Sequence, residues 1–273
     1  MTYFMNAAVI GHPIGHSLSP KIHNQWLKTL GIKGFYTAFE VKPENLEIAV
    51  RAMQKLQFRG CNVTVPHKEN ILKIADDISL TAQKVGAANT IIFEDDKILA
   101  DNTDVYGFSQ YLLQRIGQRT YNRVVVLGAG GAARAIVVSL LQMDVDHIVI
   151  INRNVDRAEN VAQMDERITV NKWSDQFPSD IDLMVNTTSL GLEFNDKPLV
   201  DAAKHLSADC VAMDIVYKPL KTNFLKQAEA NGAHIVDGLG MLVHQAVPAF
   251  KQFFHQQPSV TIDDIMLLSE EVG

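Results

Sequence analysis

The middle of the chain reads Arg123-Val-Val-Val-Leu-Gly128-Ala-Gly130-Gly131-Ala-Ala133, an apolar run that leads directly into a glycine-rich turn. A stretch rich in Ala, Ile, Val and Leu follows to about Met143, and a second apolar run covers residues 147–151. This succession predicts one β-α-β unit with the pattern G-x-G-x-x-A at its first turn. In that context the glycines indicate a dinucleotide site, and the alternative is a turn that serves structure alone.

The glycine-rich turn predicts where the phosphates of a dinucleotide would bind. Glycines allow a tight turn and a close approach of the backbone to a pyrophosphate, and the small Ala133 lets the helix pack close to the strand. Backbone N–H groups at the start of that helix face an anion with favourable dipole polarity. The candidate cofactor-binding residues of the turn are Gly128, Ala129, Gly130, Gly131 and Ala132.

The residues after the second apolar run favour NADP over NAD. A site for NAD normally carries an acidic residue about 20 residues past the glycines. Here the run ends in Asn152-Arg153-Asn154-Val-Asp-Arg157, which has no acid at the strand tip and two arginines four positions apart. Forked guanidinium donors suit the oxygens of a 2′-phosphate. The alternative is that Arg153 and Arg157 are ordinary solvated charges, and Asp156 lies close enough in sequence to pair with either.

The composition is that of a globular metabolic enzyme of one large or two modest domains. The chain has 273 residues, of which 47% are hydrophobic and 21% charged, and its net charge of −6 suggests no contact with nucleic acid. Cys61 and Cys210 are too few for a disulfide framework and lack metal-ligand spacing, so we expect buried thiols and no metal. The first residues do not resemble a signal peptide, and no apolar run is long enough for a membrane span. We therefore expect a cytoplasmic protein.

Strand-like and helix-like patterns alternate on both sides of the central unit. Before it, the sequence predicts strands at 7–11, 35–41, 58–65, 89–94 and 97–101, and helices at 22–30, 43–56, 69–75, 80–85 and 105–116. After it, the sequence predicts strands at 182–186, 210–214 and 234–237, and helices near 200–205, at 223–231, at 241–254 and from 262 onward. These patterns predict an α/β protein: an N-terminal domain with a mixed sheet, then a doubly wound parallel sheet of the Rossmann type.

Polar side chains cluster at element ends in the first half of the chain. Ser17 and Ser19 precede a predicted helix, where hydroxyls cap the helix or bind a carboxylate. Asn62 and Thr64 share one face of a predicted strand whose other face is apolar. Pro66 then ends that strand and places Lys68 at its carboxyl end, where open α/β sheets bind ligands.

Two further groups add amides and a carboxylate: Asn89-Thr90 and Asn102-Thr103-Asp104. Any one of these clusters is explained by turn chemistry. Taken together, the four suggest a pocket for a small polyhydroxylated acid.

These motifs resemble those of the shikimate dehydrogenase family, over nearly the whole chain. The resemblance rests on His16-Ser-Leu-Ser-Pro20, Asn62-Val-Thr-Val-Pro-His-Lys68, Asn102-Thr-Asp104, Gly128-Ala-Gly-Gly131, Asn152-Arg-Asn-Val-Asp-Arg157, Asn186-Thr-Thr-Ser-Leu-Gly191, Asp214-Ile-Val-Tyr217 and Asp237-Gly-Leu-Gly-Met-Leu-Val-His-Gln245. It implies an NADP-dependent enzyme that reduces 3-dehydroshikimate to shikimate in chorismate and aromatic amino-acid biosynthesis. We expect a small-molecule substrate and no nucleic-acid or membrane partner, and the sequence leaves open whether the chain is a monomer or a homodimer.

The resemblance also assigns roles to residues. It implies that Lys68 and Asp104 are catalytic, and that Ile215 and Gly238 lie near the nicotinamide. The substrate-binding residues that it implies are Ser17, Ser19, Asn62, Thr64, Asn89, Asp104, Tyr217 and Gln245. Because Gln245 must reach the substrate, the C-terminal helices are expected to return to the first domain. We therefore expect a substrate domain at 1–104, completed by 239–273, and an NADP-binding domain at 105–238.

Two positions depart from the family pattern. Asn154 stands where the family often has Thr, and Leu80 stands where many members carry an acidic residue near the cofactor. Two other functions stay open. One is a quinate/shikimate dehydrogenase with relaxed cofactor use, and the other is a non-catalytic relative that binds a shikimate-like ligand and regulates another process. The intact Lys68 and Asp104 weigh against the second.

Overall fold

The computed structural model describes residues 4–190 and 197–270. The chain divides into two compact units. The first unit comprises Met1–Gly107 and Leu242–Leu268, and the second comprises Phe108–Met241 and Ser269–Gly273. Both units are α/β, so the predicted fold class is confirmed.

The first unit is built on a mixed sheet. Its elements up to the first boundary are β1 (Met5–Gly11), α1 (Ser19–Thr29), β2 (Gly34–Glu40), α2 (Leu46–Lys55), β3 (Gly60–Val63), β4 (Asp77–Ile78), α3 (Leu80–Val85), β5 (Thr90–Glu94), β6 (Lys97–Asp101) and the start of α4 (Asp104–Ile116). Among the described strands the order is β2-β1-β3-β5-β6-β4. β1 pairs in parallel with β2 and β3, whereas β5 runs antiparallel to both β3 and β6.

The core of the first unit includes alternate residues of its central strands. Ala8 and Ile10 of β1 and Cys61 and Val63 of β3 are buried in one cluster, on one face of the sheet. The β5–β6 hairpin turns at Asp95 and Asp96, whose φ angles are +49° and +62°. Consecutive positive φ angles are typical of a two-residue hairpin loop, and aspartate tolerates them better than most residues.

The second unit contains a doubly wound parallel sheet. Its elements, followed by the two C-terminal helices, are β7 (Arg123–Leu127), α5 (Gly131–Gln142), β8 (His147–Ile151), α6 (Val155–Ala162), β9 (Ile168–Asn171), β10 (Leu183–Asn186), α7 (Lys197–Ala203), β11 (Val211–Asp214), α8 (Asn223–Ala230), β12 (His234–Val236), α9 (Leu239–Phe254) and α10 (Ile262–Ser269). The described strands lie in the order β12-β11-β10-β7-β8-β9, all in parallel. The strand order reverses between β7 and β10, and ligands bind beyond the carboxyl ends of strands at such a switch point.

Two local predictions are corrected by the structure, and two short strands had no prediction. The strand predicted at 58–65 covers only Gly60–Val63, and Val65 is 67% exposed, so it does not share the buried face of Cys61 and Val63. The helix predicted at 69–75 is a single 3₁₀ turn, Asn70–Lys73. The strands β4 and β9 were not predicted at all. Each of these elements is at most four residues long, too short to show a period.

Both cysteines are buried and free, as the sequence predicts. No described helix is long and apolar enough to cross a membrane. Within residues 4–190 and 197–270, no group of three or more His, Cys, Asp or Glu side chains is arranged to hold a metal ion.

Candidate active site

An ion pair between Lys68 and Asp104 lies in the first unit. The Lys68 Nζ is 2.5 Å from Asp104 Oδ2, and the two side chains are only 16% and 8% exposed. The backbone holds both residues in place, because Ala88 N–H donates to the Lys68 carbonyl at 2.8 Å and Asp104 N–H donates to Asn102 Oδ1 at 3.0 Å. Two mostly buried charges stabilise each other and would each be costly alone.

Asn89 connects this pair to other predicted substrate-binding residues. Its Nδ2 group lies 2.8 Å from Asp104 Oδ1, 3.0 Å from Thr103 Oγ1 and 3.3 Å from Gln245 Oε1. Its Oδ1 atom accepts hydrogen bonds from Thr103 N–H at 2.8 Å and from Thr90 Oγ1 at 3.0 Å. The structure therefore brings Lys68, Asp104, Asn89 and Gln245 into one buried polar network.

A glycine makes room for Gln245 in this network. A β-carbon at Gly107 would stand 2.6 Å from Gln245 Cβ and 2.8 Å from its backbone nitrogen, so no larger residue fits there. Gln245 Nε2 donates to the Leu242 carbonyl at 2.8 Å, which fixes the orientation of the amide and directs Oε1 toward Asn89. The predicted return of the C-terminal helix is thus seen at Gln245, within the first unit.

Asn62 belongs to the same network, whereas among the described residues no hydrogen bond joins the Thr64 side chain to it. Asn62 is 6% exposed, and its Nδ2 donates to the Asn89 carbonyl and to Thr90 Oγ1, both at 3.1 Å. Thr64 follows the end of β3 and is half-buried, and a β-carbon at Gly11 would meet its Cγ2 at 2.5 Å.

The two predicted carboxylate-binding serines lie at the start of α1. Ser17 Oγ accepts a weak hydrogen bond from Ser19 N–H at 3.4 Å, and Ser19 is buried as the first residue of the helix. The cap residue of the helix is Leu18, which offers no side-chain oxygen. Neither serine is therefore the helix cap itself.

Tyr36 is the residue of this site that the sequence analysis missed. It lies in β2 with no exposed surface, and its hydroxyl donates to Asn62 Oδ1 at 2.7 Å. No signal in the sequence distinguishes it, since an aromatic residue in an apolar strand is ordinarily part of the core.

The glycine turn of the second unit leaves open space at the start of a helix. Gly128 has φ +114°, a conformation that strongly favours glycine, and a β-carbon there would meet Thr187 Oγ1 at 2.4 Å. Gly130 is the N-cap of α5, and the position of its missing β-carbon has open space around it. The twelve-residue α5 begins at Gly131, so its N-terminal N–H groups lie beside that opening.

The predicted 2′-phosphate residues follow β8. Asn154 caps α6, because its Oδ1 accepts a hydrogen bond from Arg157 N–H at 3.1 Å, and Asn152 Nδ2 donates to the Asn154 carbonyl at 2.7 Å. Arg153 and Arg157 are exposed, and no ion pair to another described residue involves Arg153. The Asn154 departure therefore keeps the capping function that a Thr would also provide.

Ile215 and Gly238, the two predicted nicotinamide-side residues, are neighbours. A β-carbon at Gly238 would stand 2.3 Å from the Ile215 carbonyl oxygen, so this close approach requires glycine. Tyr217 lies two residues after Ile215, in the loop between β11 and α8 of the second unit, and burial raises the pKa of its phenol. Gly191, the last residue of the motif that begins at Asn186, lies outside the described residues.

A buried carboxyl group anchors the loop that carries Ile215 and Tyr217. Asp214 Oδ1 accepts from Asn186 Nδ2 at 2.9 Å and from Val216 N–H at 3.0 Å, and Oδ2 accepts from Thr222 Oγ1 at 2.7 Å. Burial raises the pKa of Asp214 to about 6, although these hydrogen bonds work in the other direction.

This pKa predicts a pH dependence of stability that Asp214→Asn removes. The folded protein binds the Asp214 proton more tightly than the unfolded chain. The unfolding free energy of the wild type therefore falls, relative to that of Asp214→Asn, as the pH rises from about 4 to about 6. The span from the ordinary value of 3.8 to about 6 corresponds to roughly 3 kcal/mol. We expect the difference in unfolding free energy, variant minus wild type, to increase by up to that amount between pH 4 and pH 7.

Urea denaturation of both proteins at several pH values measures this difference. Asp209→Asn is the control, because it removes one carboxylate charge from the same unit at an exposed position rather than a buried one. A difference between wild type and Asp214→Asn that stays constant from pH 4 to pH 7 would contradict the raised pKa.

Comparisons with known proteins cover most of the chain. Three family models match: the shikimate dehydrogenase substrate binding domain at residues 9–91, shikimate / quinate 5-dehydrogenase at residues 111–215, and the shikimate 5′-dehydrogenase C-terminal domain at residues 238–262. A curated relative from Ruegeria sp. (strain TM1040), named shikimate dehydrogenase (NADP(+)), is 46% identical over 262 residues, which are 93% of this chain and 94% of the relative.

Solved structures of shikimate dehydrogenases are also similar to this chain. Shikimate 5-dehydrogenase from Thermus thermophilus, in complex with NADP(H) and shikimate, is 32% identical, with a TM-score of 0.84 and coverage of 98% of each chain. Shikimate 5-dehydrogenase from Listeria monocytogenes, in complex with shikimate and NAD, is 30% identical, with a TM-score of 0.88 and coverage of 98% of this chain and 97% of the other.

Proposed function

Because this chain belongs to the shikimate dehydrogenase family, we propose that it catalyses the reversible NADPH-dependent reduction of 3-dehydroshikimate to shikimate, a step of chorismate and aromatic amino-acid biosynthesis. The observation that carries this proposal is the mostly buried Lys68–Asp104 pair, set in a network of amides and hydroxyls. Such a network provides donors and acceptors for a ring that bears several hydroxyl groups.

Lys68 is proposed to act on the oxygen that changes charge. When a ketone is reduced, negative charge develops on the carbonyl oxygen, and an ammonium group within hydrogen-bond reach stabilises that charge and donates the proton. In the oxidation of shikimate, the neutral amine of Lys68 accepts the proton of the reacting hydroxyl instead. Bound NADPH supplies the hydride for the reduction.

Asp104 is proposed to orient Lys68 and to bind a hydroxyl of the substrate. Its Oδ2 atom holds the lysine, while Oδ1 accepts from Asn89 and has capacity for a further donor. Asn89 and Gln245 are proposed to bind ring hydroxyls beside it, with Asn62, Thr64 and Tyr217. Ser17 and Ser19 are proposed to bind the substrate carboxylate.

The second unit is proposed to bind NADP(H). Residues 128–132 would bind the pyrophosphate through backbone N–H groups, and Ile215 and Gly238 would lie beside the nicotinamide. Asn152, Arg153, Asn154 and Arg157 would surround the 2′-phosphate. We further propose that the protein acts in the cytoplasm as a monomer or a homodimer, with its small-molecule ligands as its only required partners.

A steady-state assay with shikimate or quinate and with NADP⁺ or NAD⁺ tests this function. We expect the highest kcat/KM for the combination of shikimate and NADP⁺. A higher value for quinate or for NAD⁺ would favour the alternative of a quinate/shikimate dehydrogenase. Binding of shikimate without turnover in any combination would favour a non-catalytic, regulatory relative.

Replacing Arg153 by alanine is expected to weaken NADP selectively. Loss of a charge-assisted hydrogen bond to a phosphate costs roughly 1.5–3 kcal/mol, which corresponds to an increase of about 10- to 150-fold in the KM for NADP⁺. The KM for NAD⁺, which has no 2′-phosphate, should change little. Equal losses for both cofactors would contradict the assignment. The control is Arg51→Ala, which removes an exposed arginine that pairs with Glu47 on α2.

A further inference from the structure

A buried phenol connects two residues that the proposed function places at different ends of the substrate. Tyr36 donates its hydroxyl proton to Asn62 Oδ1 at 2.7 Å, and the Ser19 hydroxyl lies near enough to the same phenol to oppose the rise in its pKa. Ser19 begins α1 and Asn62 lies in β3, whereas Tyr36 belongs to β2, the neighbour of β1 at the edge of the sheet. One hydroxyl group thus holds the Asn62 side chain of β3 and lies beside the Ser19 side chain of α1.

The hydrogen bonds of Asn62 leave it little freedom to bind a ligand in more than one way. Its two Nδ2 hydrogens go to the Asn89 carbonyl and to Thr90 Oγ1. The carbonyl can only accept, so the amide orientation is fixed with Oδ1 toward Tyr36. With the Tyr36 proton on one lone pair, Asn62 keeps a single acceptor site, which suits one substrate hydroxyl.

The phenol ring itself is held by other rings. His23 stacks on Tyr36 with ring centroids 4.0 Å apart and an angle of 12° between the planes, and Phe253 packs at 6.5 Å. Burial lowers the pKa of His23 to about 3, so the stacked imidazole is neutral. Burial raises the pKa of Tyr36, an effect to which the nearby Cys61 adds and which the Ser19 hydrogen bond opposes. The phenol therefore keeps its proton and stays a donor.

We propose that Tyr36 is a positioning residue for substrate binding, which sets the Ser19 hydroxyl and the Asn62 amide for the carboxylate and one ring hydroxyl of shikimate. This inference rests on the proposed function. Among the described residues no hydrogen bond joins Tyr36 to Lys68 or Asp104, and Asn62 is linked to Asp104 through Asn89. Removal of the Tyr36 hydroxyl therefore weakens the binding of the substrate but leaves the chemical step and the cofactor site intact.

Tyr36→Phe tests this proposal because it keeps the ring and removes only the hydroxyl. We expect the KM and the Kd for shikimate to rise about 5- to 30-fold, as for the loss of one or two hydrogen bonds. We expect kcat to change less than about threefold, and the KM for NADP⁺ to stay the same. The matched control is Tyr121→Phe, since Tyr121 is also buried but its hydroxyl has no hydrogen-bond partner among the described residues.

A shikimate analogue without the carboxylate separates positioning from general destabilisation. If Tyr36 acts partly through Ser19, the loss caused by Tyr36→Phe is smaller for this analogue than for shikimate. A loss of equal size for both ligands, or an unchanged KM for shikimate, would overturn the proposal. Thermal denaturation with far-UV circular dichroism establishes that the variant is folded.

Thr90→Val provides a second variant in case Tyr36→Phe does not fold. It removes the acceptor on the other side of the Asn62 amide and also a donor to Asn89 Oδ1, so we expect a higher KM for shikimate with the KM for NADP⁺ unchanged. A change in kcat alone would contradict the positioning of Asn62. If the wild-type protein does not oxidise shikimate, the proposed function fails; if it does and both variants bind shikimate normally, only the present inference fails.

Discussion

Replacing Lys68 by alanine is expected to lower kcat by about 10²–10⁴-fold, the usual contribution of a general acid or base. Shikimate affinity should change much less, because Lys68 acts mainly on charge that develops in the transition state. The ammonium group lies 2.5 Å from Asp104 and is 16% exposed, so water cannot easily take its place in the variant. Single-turnover kinetics, with the Kd for shikimate measured by calorimetry, separate the two effects.

The matched control for this prediction is Lys73→Ala. Lys73 lies five positions along the chain, is exposed and contacts Asn70, so its removal deletes a lysine without touching the ion pair. We expect normal kinetics from this control. If Lys68→Ala turns over nearly as fast as the wild type, Lys68 is only a substrate-binding residue or a surface residue without a catalytic role.

Asp104→Asn is expected to have the second largest effect, a loss of about 10²–10³-fold in kcat together with a higher KM for shikimate. The amide keeps the shape of the side chain but loses the charge that holds Lys68. Its Nδ2 group takes the position of one carboxylate oxygen. At that position it cannot accept a hydrogen bond, either from Asn89 or from the substrate hydroxyl. Because Lys68 and Asp104 act as one unit, the double variant should be scarcely slower than the slower single variant.

Steady-state kinetics of the two single variants and the double variant measure this coupling. Asp77→Asn is the control, since it breaks an exposed ion pair with Lys97 that should contribute little. If the losses of the two single variants multiply in the double variant, Lys68 and Asp104 act independently, and the proposed orienting role of Asp104 is wrong.

The sequence predicts most of the fold because its long elements carry a clear period. The β-α-β unit at 123–151 appears within one or two residues of the predicted bounds, since its strands are uniformly apolar and its turn requires glycine at Gly128. β9 escaped prediction because it has only four residues, Ile168–Asn171, too few for the alternation of apolar and polar side chains to stand out at the edge of the sheet. β4 has two residues and forms only through its pairing with β6.

The sequence predicts the members of the site better than their connections. Lys68, Asn89 and Asp104 stand at element ends, where polar residues invite a functional interpretation, and they come together in the structure. Tyr36 could not be found in this way, because its function depends on its hydroxyl reaching Asn62, a contact between residues 26 positions apart. Only the parallel register of β2, β1 and β3 creates that contact.

The proposed function requires above all that a hydride pass from the C3 carbon of shikimate to NADP⁺. The most direct test oxidises shikimate that carries deuterium at C3 and analyses the cofactor product by mass spectrometry. We expect the NADPH formed to contain the deuterium and 3-dehydroshikimate to accumulate in equal amount. NADPH without deuterium, or the absence of NADPH at saturating concentrations of both ligands, would contradict the proposed hydride transfer.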